Sequence, residues 1–343
     1  MKHETYMQRC IELAQNGAGN VSPNPMVGAV VVYDDEIIGE GYHQLYGEAH
    51  AEVNTIKAVE DKSLLSKATI YVSLEPCAHF GKTPPCSDLI IDSRIPNVVI
   101  GCTDPFAQVA GKGIEKLKNA GVNVIVGILE KECLELNKRF FTFHEKKRPY
   151  IILKWAQSQD GFIDKKRSNT GATINWITEP NTKQLTHKWR SEEDAILIGK
   201  NTAINDNPEL TTRVVDGKNP IRIVVDRKLK LPKDLKVFNS AAKTIILNEL
   251  KNQGNNSILH KKVNFETFFE DLWSICAEND IISLIIEGGA FTINQFIEND
   301  LWDEARVLTG KPFFAEGIKA PVLILQPTEQ FTFGKDKITY YNK

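Results

Sequence analysis

The sequence contains no apolar run approaching the ~18 residues that a membrane-spanning helix requires. Its first residues, Met1 to Thr5, lack the charged-then-apolar pattern of a signal peptide, so we expect a cytoplasmic protein without membrane partners. The formal net charge of -2 shows no basic surplus, which disfavours nucleic acid as a partner. Six scattered cysteines without an export signal favour reduced thiols or metal ligands over disulfides.

No internal repeat or low-complexity tract interrupts the chain, and its 42% hydrophobic content is that of a globular protein. A length of 343 residues is typical of two domains of roughly 150 residues each. The charged run His144–Pro149 separates two apolar segments and indicates a short linker. We therefore place the domains at residues 1–146 and 147–343.

Strands alternate with helices on both sides of that run, which predicts two α/β units with mostly parallel sheets. The predicted elements of the first domain are helices at Glu4–Asn16, Ala51–Val59, Ser87–Ser93 and Gly113–Ala120, a hairpin of Val27–Tyr33 and Ile37–Tyr42, and strands at Thr69–Leu74, Val98–Cys102 and Val122–Gly127. Those of the second are strands at Tyr150–Ala156, Ala195–Gly199, Ile221–Asp226, Thr244–Asn248 and Ser283–Glu287, with helices at Asn181–Ser191, Glu266–Asn279 and after Gly289.

The clearest chemical pattern consists of His50, Glu52, Cys77 and Cys86. Catalytic zinc usually takes three protein ligands and keeps a fourth position for water, and one imidazole with two thiolates meets that requirement. His50 and Glu52 can both face one metal only at the start of a helix, where the entering chain is not yet helical. Glu52 would then carry protons rather than bind the metal, as in zinc deaminases.

Other interpretations of this pattern remain open from the residues alone. The cysteines can be a buried pair, or part of a structural zinc site closed by His79, in a binding module without catalysis. Neither alternative gives Glu52 a role. Cys10, Cys102, Cys133 and Cys276 have no ligand spacing and are expected to be core or surface thiols.

Eight residues separate Cys77 from Cys86, a longer loop than the two residues common in zinc deaminases. Together with Ser22–Gly28, Gly41-Tyr42-His43 and Cys102-Thr103-Asp104-Pro105, this loop closely resembles the bifunctional deaminase–reductase family of riboflavin biosynthesis. The resemblance covers nearly the whole chain. It implies a cytidine-deaminase-like three-layer α/β/α domain followed by an α/β domain like dihydrofolate reductase.

The first implied substrate is a diaminopyrimidinone that carries a ribosylamino 5′-phosphate. By resemblance, Zn²⁺ would activate water for attack on the ring carbon that bears the amine, and Glu52 would pass the proton to departing ammonia. The residues implied to hold this substrate are Asn24, His43, Lys82 and Asp104. Each also has an ordinary structural interpretation, as a turn residue, a strand-end histidine, a loop charge and a cap.

Three segments stand out in the second half. Strands lead into a turn at Lys154–Gly161, a polar loop at Gly199–Pro208 and a pair of glycines, Gly288 and Gly289, before a helix. Two glycines there allow backbone N–H groups to approach a phosphate at the positive end of the helix dipole. The pattern is not Gly-x-Gly-x-x-Gly, so a Rossmann fold is not supported.

All three segments resemble the reductase domain of the same family, whose cofactor is NADPH and whose reaction transfers hydride to ribose C1′, giving a ribityl chain. The implied cofactor residues are Gln157, Trp176, Thr202, Asp206, Gly289, Ala290, Phe291, Thr292, Ile293, Asn294 and Gln295. The implied substrate residues are Ile174, Arg190, Leu210, Arg213 and Glu287. Ile174 stands where family members often have serine, and Gln157 replaces a commonly small residue.

The expected partner is therefore a small phosphorylated pyrimidine, and we expect a homo-oligomer. The rival hypothesis is a zinc deaminase that acts on nucleic acid or nucleosides, with a degenerate or different second domain. That enzyme would need a basic or aromatic surface for a strand, which the net charge of -2 does not indicate.

Overall fold

The computed structural model describes residues 2–78, 84–105, 110–166 and 174–343. The chain divides into two compact units, Met1–Lys147 and Arg148–Lys343. Helices of the first unit are α1 (Lys2–Gln15), α2 (Ala51–Ala58), α3 (Cys86–Asp92), α4 (Lys112–Asn119), α5 (Glu130–Leu136) and α6 (Lys138–Lys146). Its strands are β1 (Gly28–Tyr33), β2 (Glu36–Tyr42), β3 (Thr69–Leu74), β4 (Asn97–Cys102) and β5 (Asn123–Val126).

Helices of the second unit are α7 (Thr182–Glu192), α8 (Lys200–Asp206), α9 (Phe268–Glu278) and α10 (Ala290–Glu298). Its strands are β6 (Tyr150–Gln157), β7 (Phe162–Asp164), β8 (Ala195–Gly199), β9 (Ile221–Val225), β10 (Thr244–Asn248), β11 (Gln253–Gly254), β12 (Ile258–Lys262), β13 (Ser283–Ile286), β14 (Glu304–Thr309), β15 (Ile318–Lys319), β16 (Glu329–Phe333) and β17 (Asp336–Asn342). Within the described ranges, no helix has the length and apolar character to cross a bilayer.

The strands of the first unit lie in the order β2-β1-β3-β4-β5. β1 pairs antiparallel with β2 and β3, whereas β3, β4 and β5 run parallel, as the hairpin followed by strand–helix alternation predicts. Apolar side chains of α2, α3 and α4 pack on one face of the sheet. α1 packs against β1 and contacts α5. The unit is thus a three-layer α/β/α sandwich.

Close helix–sheet approach in this unit depends on glycine. A Cβ at Gly28 would lie 2.0 Å from the backbone oxygen of Cys10 in α1, and one at Gly41 would lie 2.8 Å from the backbone nitrogen of Thr55 in α2. Any side chain at these positions would force a helix away from the sheet. The two contacts set the depth at which α1 and α2 lie on the hairpin.

The main sheet of the second unit has the order β11-β12-β10-β9-β8-β13-β6-β14-β17-β16. Its strands from β12 to β14 are parallel, and β17 and β16 extend it antiparallel. Apolar residues of α9 and α10 cover one face, and those of α7 and α8 cover the other. Because helices cover both faces of the sheet, the sequences of β8 and β13 are almost continuously apolar.

Two local predictions need correction. The run His144–Pro149 was predicted as a short linker; the boundary between the units does lie within it, but α6, which buries Phe140 and Phe141, continues to Lys146. Arg148 then joins the second unit through a buried ion pair with Asp303, with Nη2 to Oδ1 at 2.8 Å. The polar loop predicted after Gly199 is instead the short helix α8, anchored by the buried Ala203.

Candidate functional site

One edge of the first sheet collects most of the residues predicted for the first reaction. Asn24 precedes β1, His43 follows β2, Cys77 follows β3 and Asp104 follows β4. Because β1 runs antiparallel to β2 and β3, its start lies beside their ends. The topology therefore gathers side chains that are up to 80 positions apart in the sequence. Lys82, like His79, lies outside the described residues.

The imidazole of His50 and the thiols of Cys77 and Cys86 form a compact cluster. Their ligand atoms all lie within 4.8 Å of one another, with Cys86 Sγ 3.3 Å and Cys77 Sγ 3.7 Å from His50 Nδ1. One nitrogen and two sulfur atoms at this spacing match the donor set of a catalytic zinc site. The structure thus brings together all three predicted ligands.

The starts of two helices shape the cluster. His50 caps α2 in an extended conformation, so Glu52 lies only two positions further on yet is buried beside the ligands. Cys86 opens α3, and its backbone N–H donates to Cys77 Sγ at 3.3 Å. Hydrogen bonding between the two thiols lowers the pKa of Cys77 to about 4 and raises that of Cys86, so the pair favours a thiolate at Cys77.

Glu52 is buried, with 3% of its surface exposed. Burial raises the pKa of its carboxyl group, partly opposed by the nearby His50. The side chain lies within hydrogen-bonding reach of the Cys86 thiol. A carboxyl group that adjoins the ligands without belonging to their cluster is placed to move protons at the same centre.

Asn24 and His43 contact each other, although the sequence separates them by 19 positions. His43 Nδ1 donates to the carbonyl oxygen of Ala49 at 3.0 Å, which leaves Nε2 to accept from Asn24 Nδ2 at 3.2 Å. Burial lowers the pKa of His43 and favours this neutral form. The Asn24 amide is therefore held in one orientation, with its oxygen free of that bond.

Glu75 is a residue of this edge that the sequence patterns missed. Its carboxylate is buried and accepts backbone N–H groups of Asp104, Gly111, Gly113 and Ile114, at 2.9 to 3.3 Å. Charge-assisted bonds of this kind fix a backbone more firmly than neutral ones. Glu75 thus holds Asp104 against the start of α4. The only sequence signal was an acidic residue directly after a buried strand.

A cleft of about 1400 Å³ opens at the carboxyl ends of the parallel strands in the second unit. The predicted residues that line it are Ile174, Trp176, Arg190, Thr202, Asp206, Leu210, Arg213, Glu287, Gly289, Ala290, Phe291, Thr292 and Gln295. Gln157, Ile293 and Asn294 are not among its described lining residues. Ile293 is buried in the core, and Gln157 accepts a hydrogen bond from Trp155 Nε1 at 2.9 Å.

Gly288 and Gly289 connect β13 to α10, and other atoms of the protein lie close to both residues. A Cβ at Gly288 would lie 2.7 Å from Thr292 Cβ, and Gly289 N–H donates to Thr202 Oγ1 at 3.0 Å. In the described chain, no side chain caps α10 and no acidic residue occupies its first turn. Its N–H groups therefore face the cleft at the positive end of the helix dipole.

Opposite charges meet at the floor of the cleft. Glu287 pairs with Lys154, and its other oxygen accepts from Arg190 Nη2 at 2.7 Å. Burial alone would raise the pKa of Glu287, but the charges of Arg190 and Lys154 outweigh it and lower the pKa to about 2. The carboxylate is charged at neutral pH. Lys154, absent from our predicted site residues, belongs to this group.

The rim of the cleft combines an aromatic ring with cationic side chains. Trp176 is 57% exposed, and Lys183 Nζ lies 3.7 Å above its ring, in a cation–π contact. Arg213 Nη1 donates to Thr211 Oγ1 at 2.8 Å and pairs with Glu209. Leu210 adopts a left-handed backbone (φ 57°), a conformation that costs energy outside glycine. Such strain in a cleft-lining segment is typical of binding sites.

Two family models match separate parts of the chain. Residues 1–102 match the family model of the cytidine and deoxycytidylate deaminase zinc-binding region. Residues 149–330 match the RibD C-terminal domain. The predicted fold class, a cytidine deaminase domain followed by a reductase domain like dihydrofolate reductase, is confirmed.

Similar proteins extend over almost the whole chain. The riboflavin biosynthesis protein RibD of Aquifex aeolicus is 40% identical over 337 residues, covering 95% of this chain and 92% of the relative. RibD of Bacillus amyloliquefaciens is 41% identical, covering 94% and 87%. The crystal structure of a Thermotoga maritima diaminohydroxyphosphoribosylaminopyrimidine deaminase/5-amino-6-(5-phosphoribosylamino)uracil reductase matches with a TM-score of 0.89 and 35% identity, covering 99% and 98%.

The zinc-binding site of His50, Cys77 and Cys86 and the cleft of the second unit thus occur in one chain that matches these proteins from end to end. The chain belongs to the RibD family of riboflavin biosynthesis proteins, which join a pyrimidine deaminase to a reductase.

Proposed function

We propose that the first unit deaminates 2,5-diamino-6-ribosylamino-4(3H)-pyrimidinone 5′-phosphate, and that the second unit reduces the ribosyl chain of the product with NADPH. The observation that carries the proposal is the cluster of His50, Cys77 and Cys86 with a buried glutamate beside it. The similar Thermotoga maritima protein is described by both activities, and the match spans 99% of this chain.

In the first reaction, His50, Cys77 and Cys86 hold Zn²⁺, which would supply a nucleophilic water at neutral pH. Glu52 accepts the proton of the attacking water and delivers it to the departing amine. A bond from oxygen to the ring carbon forms, the carbon–nitrogen bond breaks, and ammonia leaves. The buried position of Glu52 keeps this proton exchange away from bulk water.

Asn24, His43 and Asp104 hold the pyrimidine and its ribose phosphate in this proposal. The contact between Asn24 and His43 supports it, because it orients the amide that would bind the substrate. Asp104 is oriented in turn by the bond from its backbone N–H to Glu75. Lys82 keeps its proposed role in substrate binding from sequence alone.

For the second reaction, the cleft would hold NADPH, and the N–H groups at the start of α10 would be available to its pyrophosphate. The residues from Gly289 to Gln295, together with Gln157, Trp176, Thr202 and Asp206, form its proposed binding set. Support comes from the uncapped N-terminus of α10 and the absence of an acidic residue in its first turn, within the described chain. Of that set, Ile293 is buried and its backbone N–H donates to the carbonyl oxygen of Gly289 at 3.3 Å, so its place in the set rests on the family resemblance alone.

The phosphorylated substrate occupies the other part of the cleft, beside Arg190, Arg213, Leu210, Glu287 and Ile174. Arginine suits a phosphate because its planar guanidinium donates two parallel hydrogen bonds. When bound, NADPH would supply the hydride for C1′; the bond from C1′ to the ring oxygen then opens, and that oxygen gains a proton. The product carries a ribityl chain. The expectation of a homo-oligomer belongs to the same proposal and is checked by light scattering.

The test supplies the diaminopyrimidinone phosphate with NADPH and follows ammonia release and NADPH oxidation separately. Glu52→Gln is expected to slow ammonia release by about 10² to 10⁴, the usual contribution of a general acid–base group. It should leave NADPH oxidation intact on substrate that is already deaminated. Glu60→Gln, an exposed carboxylate next to α2, serves as the matched control and should retain both activities.

Loss of both activities in folded Glu52→Gln would contradict two independent sites. Ammonia release from RNA, with none from the pyrimidine phosphate, would favour a nucleic-acid deaminase instead. The first result would overturn the separation of the two activities, and the second would overturn the assignment of the substrate.

A further inference from the structure

One face of α7 lines the cleft of the second unit. Lys183, Thr186, His187 and Arg190 all contribute to the lining, at the spacing that places side chains on one side of a helix. His187 is the least expected of these residues, because only 4% of its surface is exposed and it had no place in the predicted site. A buried polar side chain requires partners, which makes its hydrogen bonds informative.

The bond made by His187 fixes its tautomer. The backbone N–H of Arg213 donates to His187 Nδ1 at 3.0 Å, so Nδ1 must be an unprotonated acceptor. Burial, with the charges of Arg190 and Arg213, lowers the pKa of His187 to about 4, so the ring is neutral at physiological pH. A neutral imidazole with an accepting Nδ1 carries its hydrogen on Nε2.

That Nε2–H group has no acceptor within the described chain. Nε2 is also not enclosed by protein. Among the described residues, the fully buried polar atoms without a hydrogen-bond partner include Arg190 Nε, but His187 Nε2 is not one of them. Because the ring lines the cleft, its donor is available to a bound molecule.

The surroundings indicate which chemical group would accept this hydrogen bond. Arg190 lies about one turn of α7 after His187, and the backbone N–H of Arg213 bonds to Nδ1, on the opposite side of the ring from Nε2. Lys183 lies on the same face of α7. The charges that act on the ring are those of Arg190, Arg213 and Lys154, opposed by the carboxylate of Glu287, and this excess of positive charge favours an anion with several acceptor oxygens. A neutral donor adds a hydrogen bond there without adding a further charge to repel the arginines.

We propose that His187 donates a hydrogen bond from Nε2 to the phosphate of the reductase substrate, between Arg190 and Arg213. Its opposite nitrogen holds the backbone of Arg213 and so positions the arginine for the same phosphate. This inference rests on the proposed function of the second unit. It adds a residue that both contacts substrate and orients the segment Glu209–Arg213, which is strained at Leu210.

Two substitutions test the two nitrogen atoms of the His187 ring separately. In His187→Asn, Oδ1 replaces Nδ1 as the acceptor for Arg213 N–H, but the distal donor is lost. In His187→Gln, the amide nitrogen reaches the position of Nε2, but the acceptor is lost. Lys188→Asn, at an exposed position on the same helix, is the matched control.

The assay measures reductase KM and kcat with the phosphorylated ribosylaminouracil and with the same compound lacking phosphate. His187→Asn should raise KM for the phosphorylated compound by roughly 10- to 100-fold, the range for a hydrogen bond to a charged group. Its kcat should change by less than about threefold, and its KM for the unphosphorylated compound should equal that of the wild type. His187→Gln should recover part of the loss, and Lys188→Asn should show none.

Calorimetric titration with inorganic phosphate gives a readout that does not depend on turnover. The wild type should bind phosphate more tightly than His187→Asn, and both should bind NADP⁺ equally. An equal rise of KM for both compounds, or unchanged phosphate binding in folded His187→Asn, would overturn the contact. If the wild type does not reduce the phosphorylated compound but binds phosphate through His187, the proposed function fails and the anion site remains.

Discussion

The zinc-binding site of the first unit brings three ligand atoms within 4.8 Å of one another, whereas the cleft of the second unit encloses about 1400 Å³ between several strand ends. In the first site, His50 and Glu52 share the start of one helix, and Cys77 and Cys86 are nine positions apart in the sequence. In the second, the lining residues come from segments as distant as Lys154 and Phe291. The two sites share a position at the carboxyl ends of parallel strands.

This difference predicts how each site responds to change. A metal centre needs every ligand, so a single substitution removes its function. The cleft distributes its contacts over many residues, and its floor balances the carboxylate of Glu287 against Lys154 and Arg190. Substitutions there should give graded effects on binding and stability.

Cys86→Ser should abolish deamination and lower zinc affinity by more than about 100-fold, because even residues that only orient zinc ligands contribute 10- to 100-fold. The reductase should keep its activity. Zinc content by elemental analysis and ammonia release check this. Cys10→Ser is the matched control, since Cys10 is a buried thiol of the same unit that bonds to the Tyr71 carbonyl instead of the cluster. Retained zinc stoichiometry in Cys86→Ser would remove it from the ligand set.

The contrast between the sites also explains what sequence could predict. The strands Thr69–Leu74, Ala195–Gly199 and Thr244–Asn248 were predicted with their observed bounds, because short β-branched runs between polar turns have few alternatives. The zinc ligands were found because His50 and Cys86 at helix starts, with Cys77 after a buried strand, form a chemical pattern of their own. Each of these signals lies within a short stretch of chain.

Features that depend on distant partners escaped prediction. The charged end of α6 has a sequence typical of a linker, and only the burial of Phe140 and Phe141 shows that it belongs to a packed helix. Glu75 has a role only because four backbone N–H groups converge on it, and His187 only because Arg213 folds back onto its ring. No pattern within a window of sequence encodes such contacts. Interpretation by family found most of the cleft residues, but it also included the buried Ile293.

The floor of the cleft should show the next largest effect. The pKa of Glu287 is lowered from 4.5 to about 2, so its charge stabilises the folded unit fully above about pH 4.5, and that contribution is lost as the pH falls towards 2. A shift of this size corresponds to about 3 kcal/mol. We expect Glu287→Gln to be less stable by about that amount at pH 7 and to show a flatter dependence of stability on pH below 5.

Urea unfolding followed by tryptophan fluorescence measures this in the second unit alone, because all five tryptophans lie between Trp155 and Trp302. Glu266→Gln alters an exposed carboxylate of the same cleft and should change stability by less than about 0.5 kcal/mol. Equal stability of Glu287→Gln and the wild type at pH 7 would show that the ion cluster does not stabilise the fold.

The smallest effects should distinguish two adjacent glycines. A Cβ at Gly288 meets Thr292 Cβ at 2.7 Å, whereas the nearest described atom to one at Gly289 is Thr202 Oγ1 at 3.5 Å. Gly288→Ala should therefore destabilise the second unit by about 1 to 3 kcal/mol, as overpacking does. Gly289→Ala should change stability by less than about 0.5 kcal/mol.

The effects of the two substitutions on NADP⁺ binding should follow the opposite order to their effects on stability. A methyl group at Gly289 would lie 3.5 Å from Thr202 Oγ1, beside the uncapped start of α10. The protein has room for it there, but in the proposed function it would occupy space that a pyrophosphate needs to approach the helix N–H groups. We expect the Kd of Gly289→Ala for NADP⁺ to rise by about tenfold, while its urea midpoint stays at the wild-type value. If Gly289→Ala binds NADP⁺ as tightly as the wild type, the pyrophosphate does not lie at this helix, and the glycine pair serves only the packing of α10 on β13.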